Sequence, residues 1–384
     1  MAGTVGGLSR DRYARLVHIP PLTIASDQGA ATALLGEIAA LCAAHGAQWH
    51  PHLQAEVAEG AMRLLAPAGT VGPLITMPTH LLVPIAGARW GDGANALELL
   101  APGETATPVQ RQLLQLHAAL YNATGKLRWW STQHPARLVE HCPAVAEALL
   151  PLKPHHGNGP QEPTAAERFL ATRSFGWKAE PENGPRRQVL MPLIDLLNHH
   201  HRGAPYRIEA GAMRMATAQP ESSGECFAHY GHRRDGLDLA LHYGHADPST
   251  PFAHCAPLPI SVEGAGLIQV EHQVGRRPAH PLDPPRVELE EGGVRLSHLC
   301  CHRGHPERVR TMLKLALQAG LQRRGHGQAE AQRLAQRGLE ALGAANIGLL
   351  HQLISAAEAA DHPGGAVLAQ AARRQAAIIA AVMG

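Results

Sequence analysis

The chain has 384 residues, 45% of them hydrophobic, which is enough for a substantial core and two or three packed units. Its 34 basic and 32 acidic residues leave a net charge of +2 without long blocks of one sign, so nothing favours a nucleic-acid partner. We find no secretory leader, no apolar run of about 18 residues and no C-x-x-C pair. A cytoplasmic protein with reduced thiols and no membrane partner is expected.

Hydrophobic spacing divides the chain into alternating helical and strand-rich segments. A first amphipathic helix is predicted at 28–45, and short strands and turns follow. A helical insertion then ends in a loop at 153–164, before strands return. The last third is mainly helical, with a hairpin at "VELEEGGVRL". The predicted segments are 1–45 (N-terminal, helical), 46–90 (strands), 91–165 (helical insertion), 166–250 (strand, loop and short helix) and 251–384 (mainly helical).

The 26 histidines invite a metal hypothesis. His199, His200 and His201 are consecutive, so their side chains diverge and do not converge on one ion. The segment "CCHRGH" offers Cys301, His302 and His305, but no fourth ligand is evident. We predict no metal site, and a histidine-rich metalloprotein stays as a competing hypothesis. No G-x-S-x-G elbow, Rossmann fingerprint or Walker pattern occurs.

Two stretches carry a more specific pattern. "LMPLIDLLNH" (190–199) is followed by "GECFAHYGHRRDGLDLALHYG" (224–244). Together they resemble the C-terminal motifs of SET-domain protein methyltransferases, in the class of the Rubisco large-subunit lysine methyltransferase and the actin-histidine methyltransferase. Upstream, "HGAQWHPHLQAEVAEGAMRLLAPAGTVGPLITMP" is similar to the opening strands of that family, and "ATRSF" (171–175) resembles its S-R-x-F element.

The resemblance implies an α+β fold. It would be a split SET domain with short β-sheets and a knot-like crossing, interrupted by a helical insertion and followed by an all-helical C-terminal domain. Segments 46–90 and 166–250 would be its two parts, and 251–384 would bind the substrate. The implied activity is transfer of a methyl group from S-adenosylmethionine to a lysine of a protein or peptide.

The resemblance also implies site residues. Asn198 and His199 would hold the cofactor, and Asp195 would support the same loop. Arg173 and Arg63 are candidate partners for the cofactor carboxylate, because a guanidinium grips a carboxylate with two parallel hydrogen bonds.

The remaining candidates concern the acceptor. Tyr230 is the predicted catalytic residue, because an in-line methyl transfer needs alignment and oxygen dipoles more than proton chemistry. By the same resemblance, Tyr243 and Phe175 would line the acceptor channel. The histidine-methylating branch has an asparagine at the position matching 175, so the phenylalanine here implies lysine as the acceptor.

The chain departs from the family pattern at several positions. The S-N pair after the catalytic tyrosine appears as Arg234 and Asp235, the final Y-G-F ends in His245, and the glycines flanking Arg63 are replaced by Met62 and Leu64. These changes motivate an alternative, a catalytically silent peptide-binding module. A histidine or small-molecule acceptor is a further alternative.

Overall fold

The computed structural model describes residues 20–93, 95–154, 164–178, 186–231, 233–271 and 280–384. The start of the predicted N-terminal segment, residues 1–19, lies outside the described residues, as does most of the predicted loop at 153–164.

Short strands dominate the parts of the chain on either side of the insertion. The first group is β1 Thr23–Ser26, β2 Gln48–Trp49, β3 Gln54–Ala58, β4 Ala61–Leu65, β5 Pro73–Pro78, β6 Val83–Pro84, β7 Arg89–Trp90 and β8 Leu99–Ala101. The second group is β9 Ser174–Trp177, β10 Arg187–Leu190, β11 Asn198–Ala204, β12 Arg207–Glu209, β13 Ala212–Ala216 and β14 Glu225–Ala228. They form sheets in the orders β1-β3-β4-β14-β11, β6-β10-β9, β12-β13-β5-β2 and β7-β8.

The hairpin of β3 and β4 shows why these residues form strands. Alternate residues point inward, so that Val57 and Met62 are buried while their neighbours face outward. The connecting residues Glu59 and Gly60 both have positive φ, at 51° and 76°, as a two-residue hairpin turn requires. A Cβ at Gly60 would lie 3.0 Å from the carbonyl oxygen of Thr124, so glycine lets the turn approach the insertion closely.

Several helices begin at a capping residue or a proline. The first part of the fold contains α1 Gly29–Ala44, α2 Pro108–Ala123, α3 Lys126–Gln133, α4 Pro135–His141, α5 Pro143–Leu149, α6 Ala165–Thr172 and α7 Gly236–Tyr243. A capping box at Thr107 and Gln110 starts α2, another at Thr164 and Glu167 starts α6, and proline opens α2, α4 and α5.

The C-terminal region adds strands before its long helices. The strands are β15 Phe252–His254, β16 Pro259–Val262, β17 Gly266–Val270, β18 Val287–Glu290, β19 Gly293–Leu296 and β20 Cys300–His302. The helices are α8 Pro306–Arg323, α9 Gln328–Ala359 and α10 Pro363–Met383. The hairpin prediction is confirmed, because β18 pairs antiparallel with β19.

The predicted α+β class is confirmed by these small sheets and helices. The helical insertion is present as α2 to α5, and the C-terminal helical region follows a strand-containing stretch at 252–302 that the sequence revealed only at its hairpin. The segment boundaries and the knot-like crossing stay predictions. Within the described residues, no helix combines the length and apolar character needed to cross a membrane.

Two hydrophobic clusters fill the interior. The first joins α1, α2 and α6 to the sheets that contain β3, β5, β10 and β14. The second joins α8, α9 and α10 to β17 and β19, and it also takes in α4, α5 and α7. The helix α7 therefore belongs to the packing of the C-terminal region, although it follows the strands of the first cluster in the chain.

A buried carboxylate links α7 to its surroundings. Asp235 is fully buried and caps α7 by accepting the backbone N–H of Asp238 at 2.9 Å. Its oxygens also accept hydrogen bonds from Lys153 Nζ at 3.0 and 3.1 Å, the backbone N–H of His254 at 3.0 Å and Gln375 Nε2 at 3.1 Å. One side chain thus ties together the insertion, β15, α7 and α10.

We expect Asp235→Ala to lower the free energy of unfolding by about 3–5 kcal/mol, because it removes a cap and leaves the buried Lys153 ammonium with only Asp238 as a charged partner. Urea denaturation followed by circular dichroism measures the change. Glu358→Ala, which breaks the half-exposed pair with Arg373, is the control and should cost less than about 1 kcal/mol. Equal losses in the two variants would show that the Asp235 network does not stabilise the fold.

Candidate active site

The two motif stretches lie side by side. Strand β11, which begins at Asn198, pairs parallel with β14, which ends two residues before Tyr230. The backbone N–H of Tyr230 donates to His199 Nδ1 at 3.1 Å, and the Tyr230 hydroxyl donates to the carbonyl oxygen of Leu197 at 2.7 Å. The catalytic candidate and the predicted cofactor corner are therefore in direct contact.

Two cavities meet at this contact. The one we call the tryptophan cavity has a volume of about 480 Å³, and the one we call the arginine cavity about 470 Å³. Thr172, Arg173, Tyr230 and Tyr243 line both. The tryptophan cavity is otherwise lined by Glu59, Gly60, Ala61, Thr124, Lys126, Trp129, Trp130, Phe169, Asn198, His199, Gly244 and His245. The arginine cavity is otherwise lined by Ala171, Ser174, Phe175, Gly176, Arg186, Gln188, Met191, Asp195, Pro205, Tyr206, His229, Gly231, Arg234 and His242.

The two shared tyrosines form the junction. Their ring centroids are 4.6 Å apart at an interplanar angle of 54°. Burial raises the pKa of Tyr230, although the nearby Arg173 opposes the shift, so the phenol stays protonated at neutral pH. Since its proton is donated to Leu197, the lone pairs of the Tyr230 oxygen remain available as acceptors.

Tyr243 has a different partner. Its hydroxyl accepts from Arg234 Nη1 at 2.8 Å, and the guanidinium carbon lies 5.3 Å from the ring centroid. Burial raises the pKa of Tyr243, and Arg234 acts in the opposite direction. The hydroxyl of Tyr243 is therefore polarised by a permanent cation.

Arg173 directly follows α6 and lines both cavities. Its Nη1 donates to the backbone oxygen of Asp195 at 3.3 Å, and its guanidinium lies 5.8 Å from the centroid of Phe169. Its buried Nε has no hydrogen-bond partner among the described residues. A buried donor without a partner is costly, so this position is suited to an anionic or acceptor group of a ligand.

Lys126 is a second cation in the tryptophan cavity, and the sequence reasoning missed it. Burial and, to a smaller extent, the charge of Arg173 together lower its pKa to about 7. Among the described residues we find no ion pair to its ammonium. Two cations thus face one cavity whose lining contains a single described carboxylate, that of Glu59.

The asparagine-histidine pair lines the same cavity. Asn198 Nδ2 donates to Glu225 Oε1 at 2.8 Å, and this bond holds the side chain at the start of β11. His199 is buried, and its Nε2 lies 3.8 Å from Asp247 Oδ2. Burial lowers the pKa of His199 against the pull of Asp247, which keeps the imidazole neutral and its Nδ1 free to accept from Tyr230.

The structure places Asp195 on the arginine cavity rather than on the tryptophan cavity. It lies in a 3₁₀ turn after Leu193, a buried residue with a φ of 64°, which is an unfavourable conformation for a leucine. Its Oδ2 accepts from the hydroxyl of Tyr121 on α2 at 2.5 Å, and its Oδ1 has no hydrogen-bond partner among the described residues. The insertion therefore holds this acid in place.

Of the remaining predicted residues, Phe175 lines a cavity and Arg63 does not. Phe175 lines the arginine cavity and packs against Tyr206 with ring centroids 5.2 Å apart. Arg63 lines neither cavity, because it lies across the β3–β4 hairpin from Glu56, which accepts its Nε at 2.7 Å. The structure brings the other predicted residues together and leaves Arg63 in an ion pair with Glu56.

Among the described residues, no group of three or more His, Cys, Asp or Glu side chains is arranged to hold a metal ion. In the segment that suggested zinc, the rings of His302 and His305 stack at 5.2 Å, and the Cys301 thiol is hydrogen-bonded with Cys255.

No protein-family model and no curated protein matches the chain. The solved structures that match include the SET domain of LSMT bound to lysine and AdoHcy, with a TM-score of 0.41 and 12% identity over 92% of this chain and 90% of that one. They also include Rubisco LSMT bound to AdoMet, with a TM-score of 0.42 and 13% identity over 91% of each chain.

The neutral histidine predicts a pH dependence of stability. The pKa of His199 in the folded state lies below the value of about 6.5 expected in the unfolded state. The neutral imidazole therefore contributes to the free energy of unfolding above about pH 6.5, and this contribution is lost as the pH falls. We expect the free energy of unfolding to decrease from pH 7 to pH 5, and to decrease less in His199→Asn, where the amide oxygen can replace Nδ1 as acceptor. Urea denaturation across this range tests the expectation, and identical slopes in both proteins would contradict it.

Proposed function

We propose that this chain is an S-adenosylmethionine-dependent methyltransferase that acts on a lysine side chain of a protein or peptide. The observation that carries the proposal is the junction of two cavities at Tyr230 and Tyr243, beside the Asn198–His199 corner. A transfer between two ligands needs two adjoining sites with a polar group at their boundary.

The residues of the tryptophan cavity fit the proposed methyl donor. Arg173 offers a buried unpartnered N–H, and Lys126 offers a second cation for a carboxylate. Trp129, Trp130 and Phe169 supply flat apolar surface for a purine ring. Asn198 and the backbone around His199 and Gly244 supply amide groups.

When bound, S-adenosylmethionine supplies an electrophilic methyl group on a sulfonium. The task of the protein is then to align the acceptor and to offer oxygen dipoles beside the transfer path. Tyr230 can do both, because its hydroxyl is anchored to Leu197 and its lone pairs are free. Its raised pKa keeps it a neutral dipole rather than a competing nucleophile.

The arginine cavity fits a lysine side chain in its apolar part. Phe175, Tyr206, Tyr230 and Tyr243 contribute aromatic rings that can flank an alkyl chain. Desolvation by these rings and repulsion by nearby guanidinium groups favour the neutral amine, which is the form able to accept a methyl group. The C-terminal helices would dock the rest of the substrate.

We expect Tyr230→Phe to lower the rate of methyl transfer by about 100-fold or more, on the scale of losing one aligned polar group in a transition state. Transfer is measured with radiolabelled cofactor and a lysate or peptide acceptor. Cofactor affinity by calorimetry is the control and should change by less than about threefold, because the ring and its packing remain. Unchanged transfer would refute the role of Tyr230, and binding without any transfer by the unmutated protein would favour the silent module.

We expect Lys126→Gln to weaken cofactor binding, and to do so more at pH 7 than at pH 9. The pKa of Lys126 is about 7 in the free protein, and a bound carboxylate raises it, so the ammonium contributes below pH 7 and loses its contribution as the pH rises. Calorimetric titrations from pH 6.5 to 9 measure the effect.

Arg128→Gln, an exposed cation on the same helix that lines neither cavity, is the matched control. The α-amino group of the ligand titrates in the same range with both proteins, so the difference between variants isolates Lys126. If both variants bind with the unmutated affinity at every pH, Lys126 has no part in the site.

A further inference from the structure

The arginine cavity carries an excess of positive charge. Arg173, Arg186 and Arg234 line it, whereas its one carboxylate among the described lining residues belongs to Asp195. That carboxylate is buried and already accepts the Tyr121 hydroxyl. A substrate that is only cationic would meet net repulsion here.

Two of these arginines come from segments that are well separated in the chain. Arg186 precedes β10 and is exposed, and its Nε donates to the backbone oxygen of Gly176 at 3.0 Å on the neighbouring β9. Arg234 precedes α7 and is half-buried against Tyr243. Among the described residues, no carboxylate forms an ion pair with either guanidinium.

Arg234 departs from the pattern of the family that the motifs resemble. That pattern has a serine-asparagine pair where this chain has Arg234 and Asp235. Asp235 is used inside the fold, but the Arg234 guanidinium faces the cavity and holds the Tyr243 hydroxyl. Guanidinium groups bind carboxylates through charge-assisted hydrogen bonds, and keep their charge at all physiological pH values.

Resting on the proposed function, we infer that the acceptor lysine carries a carboxylate close to it, which binds between Arg186 and Arg234. Two sources share this chemistry. One is an aspartate or glutamate flanking the lysine in a peptide, and the other is the free carboxylate of a C-terminal or free lysine. The aromatic rings take the alkyl chain, and the arginines select for the neighbouring anion.

The test uses peptides with blocked termini and a single lysine, flanked by glutamate, glutamine or arginine. A fourth peptide is flanked by glutamine and ends in lysine with a free carboxyl group. Binding is measured by calorimetry with S-adenosylhomocysteine present, and methyl transfer by radiolabel. We expect the glutamate peptide to bind about tenfold more tightly than the glutamine peptide, with the difference shrinking at high salt. Tighter binding of the fourth peptide would identify the terminal carboxylate as the source.

Reversing the charge of one arginine tests whether the cavity itself selects the acidic peptide. Arg186→Glu should remove the preference for the glutamate peptide and improve binding of the arginine peptide. Arg187→Glu, at the adjacent exposed arginine that does not line the cavity, should leave the order of the peptides unchanged.

The outcomes separate the two proposals. Equal binding of all peptides, or strongest binding of the arginine peptide by the unmutated chain, overturns the inference. If the glutamate peptide binds best but no peptide or lysate protein accepts a methyl group, the proposed activity is overturned and the acidic ligand stands.

Discussion

The site depends on the way the backbone and ring of Tyr230 are held against the strand that begins at Asn198. One N–H to the imidazole of His199 and one O–H to Leu197 fix the phenol at the end of a parallel strand pair. The first bond requires an unprotonated Nδ1. Burial supplies this condition by lowering the pKa of His199, so the same packing that forms the core also sets the protonation state on which the geometry rests.

The insertion is part of the site as well as of the scaffold. Tyr121 holds Asp195 in its strained turn, and the loop and helix that follow place Lys126 and Trp130 on the tryptophan cavity. The β3–β4 turn approaches the insertion closely at Gly60. Contacts between segments far apart in the chain therefore build the cavity, which explains why no single motif describes it.

Features of the fold and of the site that depend on residues close together in the chain could be predicted from the sequence. The hydrophobic periodicity of α1 and α2, and the spacing from Asn198 to Tyr230, could be read directly from the sequence. Lys126 could not, because an isolated lysine is ordinarily a solvated charge, and only tertiary burial lowers its pKa. Arg63 was predicted from a motif. Its position on β4 places it opposite Glu56 on β3, and its guanidinium forms an ion pair with that carboxylate.

Two of the departures from the family pattern, Arg234 and Asp235, have physical roles in this chain. Asp235 supplies a buried carboxylate that joins four elements, and it fixes the start of the helix that ends at Tyr243. Arg234, directly before it, is thereby oriented onto the Tyr243 hydroxyl. A change that had merely accompanied loss of function would leave these groups without partners. Here the altered pair forms one side of the cavity and gives it a positive charge, as the proposed acidic acceptor requires.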